Sequence, residues 1–433
     1  MDNLVSISAA EAARRIAKGA LSSVQYTEAL LARIAEREAS VGAWIHIDPA
    51  AALAQARAAD ARPPVGPLHG VAVGLKDIID TADMPTAYGS PIYAGHRPGK
   101  DAPSVAQLRA AGAVILGKTV TAEFATYHPG KTANPHNLAH TPGGSSSGSA
   151  AAVADYHVAL SLGTQTAGSI IRPASFNGII GYKPTFDDFN YGGLHALAPS
   201  LDTLGVFVRH FEDLSLSRQV MSRSRPVCAP SAPASAAPRI GVCRTPMWDK
   251  ADADMQEAFL RTADRLGKAG ATLVDIELPP SFTALIEAQT LIFMAEGARH
   301  LEREWREQPD LLSPELRALL EKGRACTAAA VAQAQALAVQ CRAELADILR
   351  SVDALIAPAA IGEAPRGLAA TGDPLFSRIW TFLHVPCISY PVGRGDLGLP
   401  LGVQAIGAHG DDDRLIGAAW WMAEHSAEWT PVS

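Results

Sequence analysis

Apolar positions recur first at helical spacing. The segment after Ser8 reads as a short amphipathic helix ending near Gly19, with Ser8-Ala-Ala-Glu11 patterned as a capping box. A second helix opens at Ser22 or Ser23 and gathers Leu30, Leu31 and Ile34 on one face. The period then changes. Beyond a Pro- and Gly-rich loop over 63–70, Val71-Ala-Val-Gly-Leu75 is a continuous apolar run, which predicts a buried strand delivering Lys76 at its end. A helix over 103–111 and an apolar strand over 113–116 follow, then an alanine-rich helix over 150–154. Further strands are expected at 157–161 and around Ile179-Ile180. A strand at 240–243 opens a βα region reaching Asp275, and helical patterns occupy about 285–303, 314–323 and 327–350. Strand character returns at 353–358 and 386–391, and a last helix covers about 412–424. Strands alternating with helices predict a layered α/β fold. Residues 1–433 read as a single domain without internal repeats; 62–205 carries the polar, glycine-rich motifs, and 223–238, rich in Pro, Ala and Ser, predicts an exposed connection.

Composition narrows the function. Of 433 residues, 48% are apolar and 19% charged, enough for a large core. The net charge of −7 and the lack of any basic run oppose attraction to phosphate backbones or anionic lipid, so no nucleic-acid partner is expected. No uncharged apolar run reaches spanning length, so no membrane partner is expected either. Met1-Asp2-Asn3-Leu4-Val5 lacks the basic and apolar regions of a signal peptide. The five cysteines, Cys228, Cys243, Cys326, Cys341 and Cys387, never take Cys-x-x-Cys spacing and read as small buried hydrophobes in a reducing compartment, the cytoplasm.

Three segments gather glycine, hydroxyls and one lysine where a packed core has no use for them: Gly74-Leu-Lys-Asp77, Gly143-Gly-Ser-Ser-Ser-Gly-Ser149 and Gly163-Thr-Gln-Thr-Ala-Gly-Ser-Ile-Ile-Arg-Pro173. Singly, each has a plain reading: a surface Lys76-Asp77 pair, a flexible loop or anion nest, and a helix cap at Ser169. In this order they resemble the amidase signature family over about 66–184, with weaker likeness continuing to the C-terminus. The third segment is most similar in appearance to the malonamidase branch. The resemblance implies a large mixed β-sheet flanked by helices, and a Ser–Ser–Lys triad of Lys76, Ser145 and Ser169. Ser169 would be the nucleophile, and Ser145, after a cis peptide bond at Gly144, the bridging hydroxyl. Lys76 would be the neutral base. Backbone amides of Thr166, Ala167, Gly168 and Ser169 would form the oxyanion hole. It implies no metal and no organic cofactor, and a homodimer fits the relatives it resembles. A lysine acting as base requires a pKa lowered by burial away from carboxylates.

Three departures from the commoner family pattern bear on substrate. Ala167 stands where most members have glycine, and Gln165 replaces a frequent aspartate, removing any carboxylate role there. Arg172 lies three residues beyond Ser169 rather than two, a rotation of about 100° if the segment is helical. As the resemblance to malonamidases implies, Arg172 would then grip a substrate carboxylate through its bidentate fork. The other reading pairs it with a structural carboxylate or a helix-end carbonyl. His136 and His140 lack the glutamate and third ligand of a zinc motif, so no metal is expected. Asp202 is expected to hold a loop by hydrogen bonds. Phe376, Trp380 and Phe382 either line an acyl pocket or pack in the core. No Gly-x-x-x-x-Gly-Lys-Ser/Thr motif supports a nucleotide-binding reading. The expected reaction is hydrolysis of a small carboxylic amide, one bearing a carboxylate, through an acyl-enzyme on Ser169. Two alternatives stand beside it: the ammonia-releasing amidase subunit of a tRNA-dependent amidotransferase, and a non-catalytic binding scaffold.

Overall fold

A computed structural model describes residues 4–224 and 232–426. Eleven strands make one mixed sheet: β1 Trp44–Ile47, β2 Ala72–Lys76, β3 Val114–Thr119, β4 Leu160–Gln165, β5 Ile180–Lys183, β6 Thr203–Val208, β7 Arg239–Val242, β8 Thr272–Asp275, β9 Ala354–Pro358, β10 Cys387–Arg394 and β11 Pro400–Ile406. Their spatial order is β1-β3-β2-β4-β6-β5-β10-β11-β9-β7-β8. β2 runs parallel to β3 and β4, and β7 runs parallel to β8 and β9; the other pairings are antiparallel. β2, β3, β4, β6, β9 and β11 are buried along their whole length. Burial on both faces is why such strands read as unbroken apolar or small-residue runs rather than as alternations. This is the mixed sheet flanked by helices that the resemblance implied.

Several boundaries differ from the sequence reading, each for a local reason. The strand expected at 157–161 starts at Leu160, because Arg209 draws the carbonyls of both Val153 and Val158 to 2.7 Å and holds the lead-in residues out of the ladder. The alanine-rich helix begins at Ser147, not 150. Ser149 secures that first turn by donating to the Leu162 carbonyl at 2.8 Å. Gly148 is required beside it, since a Cβ there would lie 2.2 Å from the Ala43 carbonyl oxygen and 2.3 Å from the Val120 nitrogen. Ser8 caps its helix through the Glu11 amide, but the Glu11 carboxylate turns to Arg14 and Arg15, so the reciprocal box is absent. The reciprocal arrangement occurs instead at Ser22 and Gln25. β1, β6, β11 and the helices Pro49–Asp60, Glu212–Met221 and Leu375–Phe382 have no counterpart in the sequence reading.

Phe376, Trp380 and Phe382 are buried in the packed interior, which decides for their core reading. His136 and His140 each contact a backbone carbonyl, that of Asn177 at 2.8 Å and of Ala364 at 2.7 Å. Cys243, Cys341 and Cys387 are buried free thiols; Cys326, at the end of the helix Pro314–Arg324, is partly exposed, contrary to expectation. Of the expected connection at 223–238, residues 225–231, with Cys228, lie outside the described residues, as do Met1, Asp2 and Asn3. Among the described residues no helix is long and apolar enough to cross a membrane.

Candidate active site

Lys76 is the last residue of β2, and its side chain is wholly buried. Its Nζ lies 2.7 Å from Ser145 Oγ and 2.7 Å from Thr164 Oγ1. Burial holds the amine well below the usual lysine pKa, with only the charge of Asp202 acting the other way. A neutral amine has one lone pair and two N–H bonds. It can therefore take a proton from one hydroxyl while donating to the other.

Ser145 sits on the loop between β3 and the helix Ser147–Ala154, where the Gly144–Ser145 peptide is cis, as the resemblance implied. Gly143 turns the chain at φ +80°, a conformation open to glycine. Neighbouring serines fasten the loop to the sheet. The Ser146 hydroxyl donates to the Thr164 carbonyl at 3.1 Å and accepts from the Thr164 amide at 3.2 Å. The Ala122 amide donates to the Ser145 carbonyl at 3.0 Å. The cluster of hydroxyls is thus mostly scaffolding, with Ser145 the member that meets the lysine.

Thr166 to Ser169 form the turn from β4 into the helix Ile171–Asn177. Each of the first three carbonyls is held: Thr166 by Gln289 Nε2 at 3.0 Å, Ala167 by the Thr381 hydroxyl at 2.8 Å and Gly168 by the Arg172 amide at 3.0 Å. The turn is fixed through its carbonyls, which leaves its amides as the available donors beside Ser169, itself 7% exposed. Gly168 is obligatory, because a Cβ there would lie 2.7 Å from Pro374 Cβ. Ala167 is accommodated, buried beneath the turn.

Gln165 shows why no carboxylate is needed at its position. Its amide oxygen accepts from the Ile170 and Ile171 amides at 2.8 and 3.0 Å, and its nitrogen donates to Thr381 Oγ1 at 2.9 Å. It caps the helix behind the turn. Gln165→Leu strands two buried amides, so we expect a loss of about 2–4 kcal/mol in urea unfolding. A loss within 0.5 kcal/mol, on the order of an ordinary surface change, would refute the capping role.

Arg172 is 3% exposed. One terminal nitrogen donates to the Gly144 carbonyl at 2.6 Å and to Thr371 Oγ1 at 3.2 Å. Among the described residues, the other terminal nitrogen and Nε have no hydrogen-bond partner. Burial lowers its pKa to about 10, with Asp373 opposing, so it stays charged at neutral pH. Arg172 thus takes a loop carbonyl just ahead of Ser145, neither a structural carboxylate nor a helix-end carbonyl, and keeps donors unpaired among the described residues. Asp202 holds a loop, as expected. Its carboxylate accepts from Thr166 Oγ1 at 2.6 Å and from the Leu197 and Ala198 amides at 2.9 and 3.0 Å. The sequence reading missed Thr164, Gln289, Thr371 and Thr381. Only Thr164 left a signal: β2 and β4 pair in parallel at Leu75 and Leu162, so the polar end of β4 falls beside Lys76. The other three act from distant segments.

A lysine, two serines and a braced amide turn are parts able to attack a carbonyl, and comparison with known proteins shows the family. The family described as Amidase matches residues 25–416. A glutamyl-tRNA(Gln) amidotransferase subunit of Salinispora arenicola (strain CNS-205) is 34% identical over 490 residues, covering 100% of this chain and 99% of that protein. The same-named subunit of Anaeromyxobacter sp. (strain K) is 35% identical over 463 residues, covering 94% of each. Among solved structures, native peptide amidase from Stenotrophomonas maltophilia superposes with a TM-score of 0.84 at 28% identity, over 99% of this chain and 98% of that one. A structure described as a vestigial protein complex that reveals the origins of an s-triazine catabolic enzyme gives 0.88 at 28% identity, over 98% and 100%. The malonamidase-like detail still rests on the third motif alone. Site, fold and relatives converge: the chain belongs to the amidase family, enzymes that act on the C–N bond of amides.

Proposed function

We propose that the chain hydrolyses the amide of a small carboxylate-bearing substrate through an acyl-enzyme on Ser169. The observation that carries this reading is a wholly buried Lys76, its pKa depressed, in direct hydrogen bond with Ser145. Ser169 Oγ attacks the carbonyl carbon while its proton passes to Ser145 and that of Ser145 to Lys76. Amides of the turn from Thr166 to Ser169 receive the oxyanion. As the tetrahedral centre collapses, the proton returns through Ser145 to the departing nitrogen. Water then cleaves the ester by the same relay and releases the acid. The unpaired nitrogens of Arg172 support recognition of the carboxylate. We place the activity in the cytoplasm, where the buried thiols of Cys243, Cys341 and Cys387 stay reduced.

The second reading, the ammonia-releasing component of an amidotransferase, is the one that the curated relatives favour. It uses the same chemistry and differs in needing a partner. The alignment with the Salinispora arenicola protein runs over 490 positions against 433 residues here, so that relative carries segments this chain lacks.

The test is ammonia release from neutral amides, short carboxylate-bearing amides, asparagine and glutamine, with wild type and Arg172→Met. Preference for the acidic amides should fall about 10–100-fold in the variant, as for loss of a charged hydrogen bond. An unchanged preference would remove the carboxylate from the proposal. Turnover of glutamine only with an added partner would favour the amidotransferase reading, and no turnover of any amide would favour the binding scaffold.

A further inference from the structure

The turn from Thr166 to Ser169 is held by a side chain whose own orientation is set from outside it. Gln289, on the helix Leu285–His300, is fully buried and donates from Nε2 to the Thr166 carbonyl at 3.0 Å. A carboxamide has nearly the same shape when turned over, so packing alone does not decide which end faces Thr166. Arg378 does. It lies on the helix Leu375–Phe382, is 9% exposed, and donates from Nη1 to Gln289 Oε1 at 2.9 Å. A guanidinium has donors and no acceptor. Turned over, the carboxamide would set its NH2 against the guanidinium and its oxygen against the Thr166 carbonyl, losing both hydrogen bonds.

Arg378 is itself held in place. The same Nη1 donates to Thr290 Oγ1 at 3.2 Å, and the Thr290 hydroxyl donates to the Ile286 carbonyl at 2.8 Å, which leaves its lone pairs for the arginine. Both partners of Arg378 are neutral, and among the described residues no ion pair joins it to a carboxylate. A cation shielded from water without a counter-charge lowers stability, so bracing alone does not account for it.

Its effect reaches the reacting atoms through one peptide plane. The Thr166 carbonyl and the Ala167 N–H belong to the same planar group and point opposite ways. Fixing the carbonyl on Gln289 therefore aims the N–H to the other side of the turn. The Thr381 hydroxyl fixes the next plane in the same manner, through the Ala167 carbonyl at 2.8 Å. We infer that Arg378, acting through Gln289, is a positioning residue that aims the Ala167 N–H at the oxyanion. The inference rests on the amide-hydrolysis reading above.

An alkyl fluorophosphonate tests this without knowledge of the substrate. Ser169 Oγ bonds to phosphorus, fluoride leaves, and the phosphoryl oxygen takes the place of the oxyanion. The labelling rate is measured against probe concentration, which separates the limiting rate from the half-saturating concentration, with thermal melts of each protein. Gln289→Glu is the decisive variant. Its carboxylate keeps and strengthens the bond from Arg378 but has no hydrogen for the Thr166 carbonyl. The limiting rate should fall about 100-fold, as for loss of one oxyanion donor, with half-saturation unchanged within about twofold. Melting should stay near that of wild type, because the new ion pair offsets the lost bond. Arg378→Met should lose about tenfold, since the carboxamide is then free to turn over, and Arg378→Lys, again a donor without an acceptor, should recover most of it. Labelling of Gln289→Glu at the wild-type limiting rate, or a loss confined to half-saturation, marks a purely structural contact and overturns the inference. If Gln289→Glu does not fold, equal limiting rates in Arg378→Met and Arg378→Lys overturn it, and recovery in the lysine variant supports it. Absence of labelling in wild type, or labelling that survives in Ser169→Ala, overturns the hydrolysis reading and the inference with it.

Discussion

Ser169→Ala protein should fold as wild type and lose amide hydrolysis by about 10⁶ in kcat, the loss typical of removing a serine nucleophile. The stability half of this expectation follows from what Ser169 does not do. Ser146 and Ser149 each hold part of the scaffold, whereas no hydrogen bond of the Ser169 hydroxyl ties the turn together among the described residues. The turn is held through the carbonyls of Thr166, Ala167 and Gly168, which alanine leaves intact. Unfolding free energy should therefore stay within about 0.5 kcal/mol. Residual activity above about 1%, far beyond what an oxyanion hole and binding alone supply, would point to a different nucleophile.

Lys76→Met should reduce kcat/KM by about 10²–10⁴, the range for a positioned general base, while leaving the protein as stable at neutral pH or more so. Burial lowers the lysine's pKa in the fold, whereas in the unfolded chain it stays protonated below about pH 10. The unfolded chain therefore binds the extra proton, and stability rises with pH from the lowered pKa of Lys76 up to about pH 10. Within that window the group contributes a slope of about 1.4 kcal/mol per pH unit, with its cost largest at the acid end. Methionine removes the contribution, so stability should climb less steeply with pH than in wild type. Lys118 and Lys183, also lowered by burial, keep theirs. Denaturant titrations at several pH values decide it. An unchanged slope would mean that Lys76 is charged in the folded protein and is not the base.

The relation between sequence and site explains which parts were legible. Lys76, Ser145 and Ser169 stand out because glycine and hydroxyl residues collect at the ends of buried strands. Helices with a one-sided apolar stripe were placed closely: the helix following Ser313 spans Pro314–Arg324, and the one following Thr327 spans Ala328–Leu349. β6 and β11 escaped, because glycine or a polar residue interrupts their apolar runs, Thr203-Leu-Gly-Val-Phe-Val208 and Pro400-Leu-Gly-Val-Gln-Ala-Ile406, and burial on both faces leaves no alternation to mark them. The start of the helix at Ser147 read as loop, since Ser-Gly-Ser is a poor helix former alone and is helical here through its bonds to β3 and β4. The braces on the turn, Gln289 and Thr381, and Thr371 beside Arg172 carry no local signature. Each is an ordinary polar residue on a distant segment, and only the folded chain brings it to the site.

The strand order has a consequence for the timing of synthesis. β10 and β11 are among the last elements along the chain, yet they lie in the middle of the sheet, joining β5 on one side to β9 on the other. Thr371 and Thr381, which hold Arg172 and the Ala167 carbonyl, also belong to this late segment. A nascent chain that has left the ribosome as far as the helix Leu285–His300 already contains every reacting group. It still has an open sheet edge at β5, an Ala167 carbonyl without Thr381 and an Arg172 without Thr371. The proposed triad is made early, but part of the geometry around it arrives with the final strands, so we expect hydrolysis only from chains whose sheet has closed.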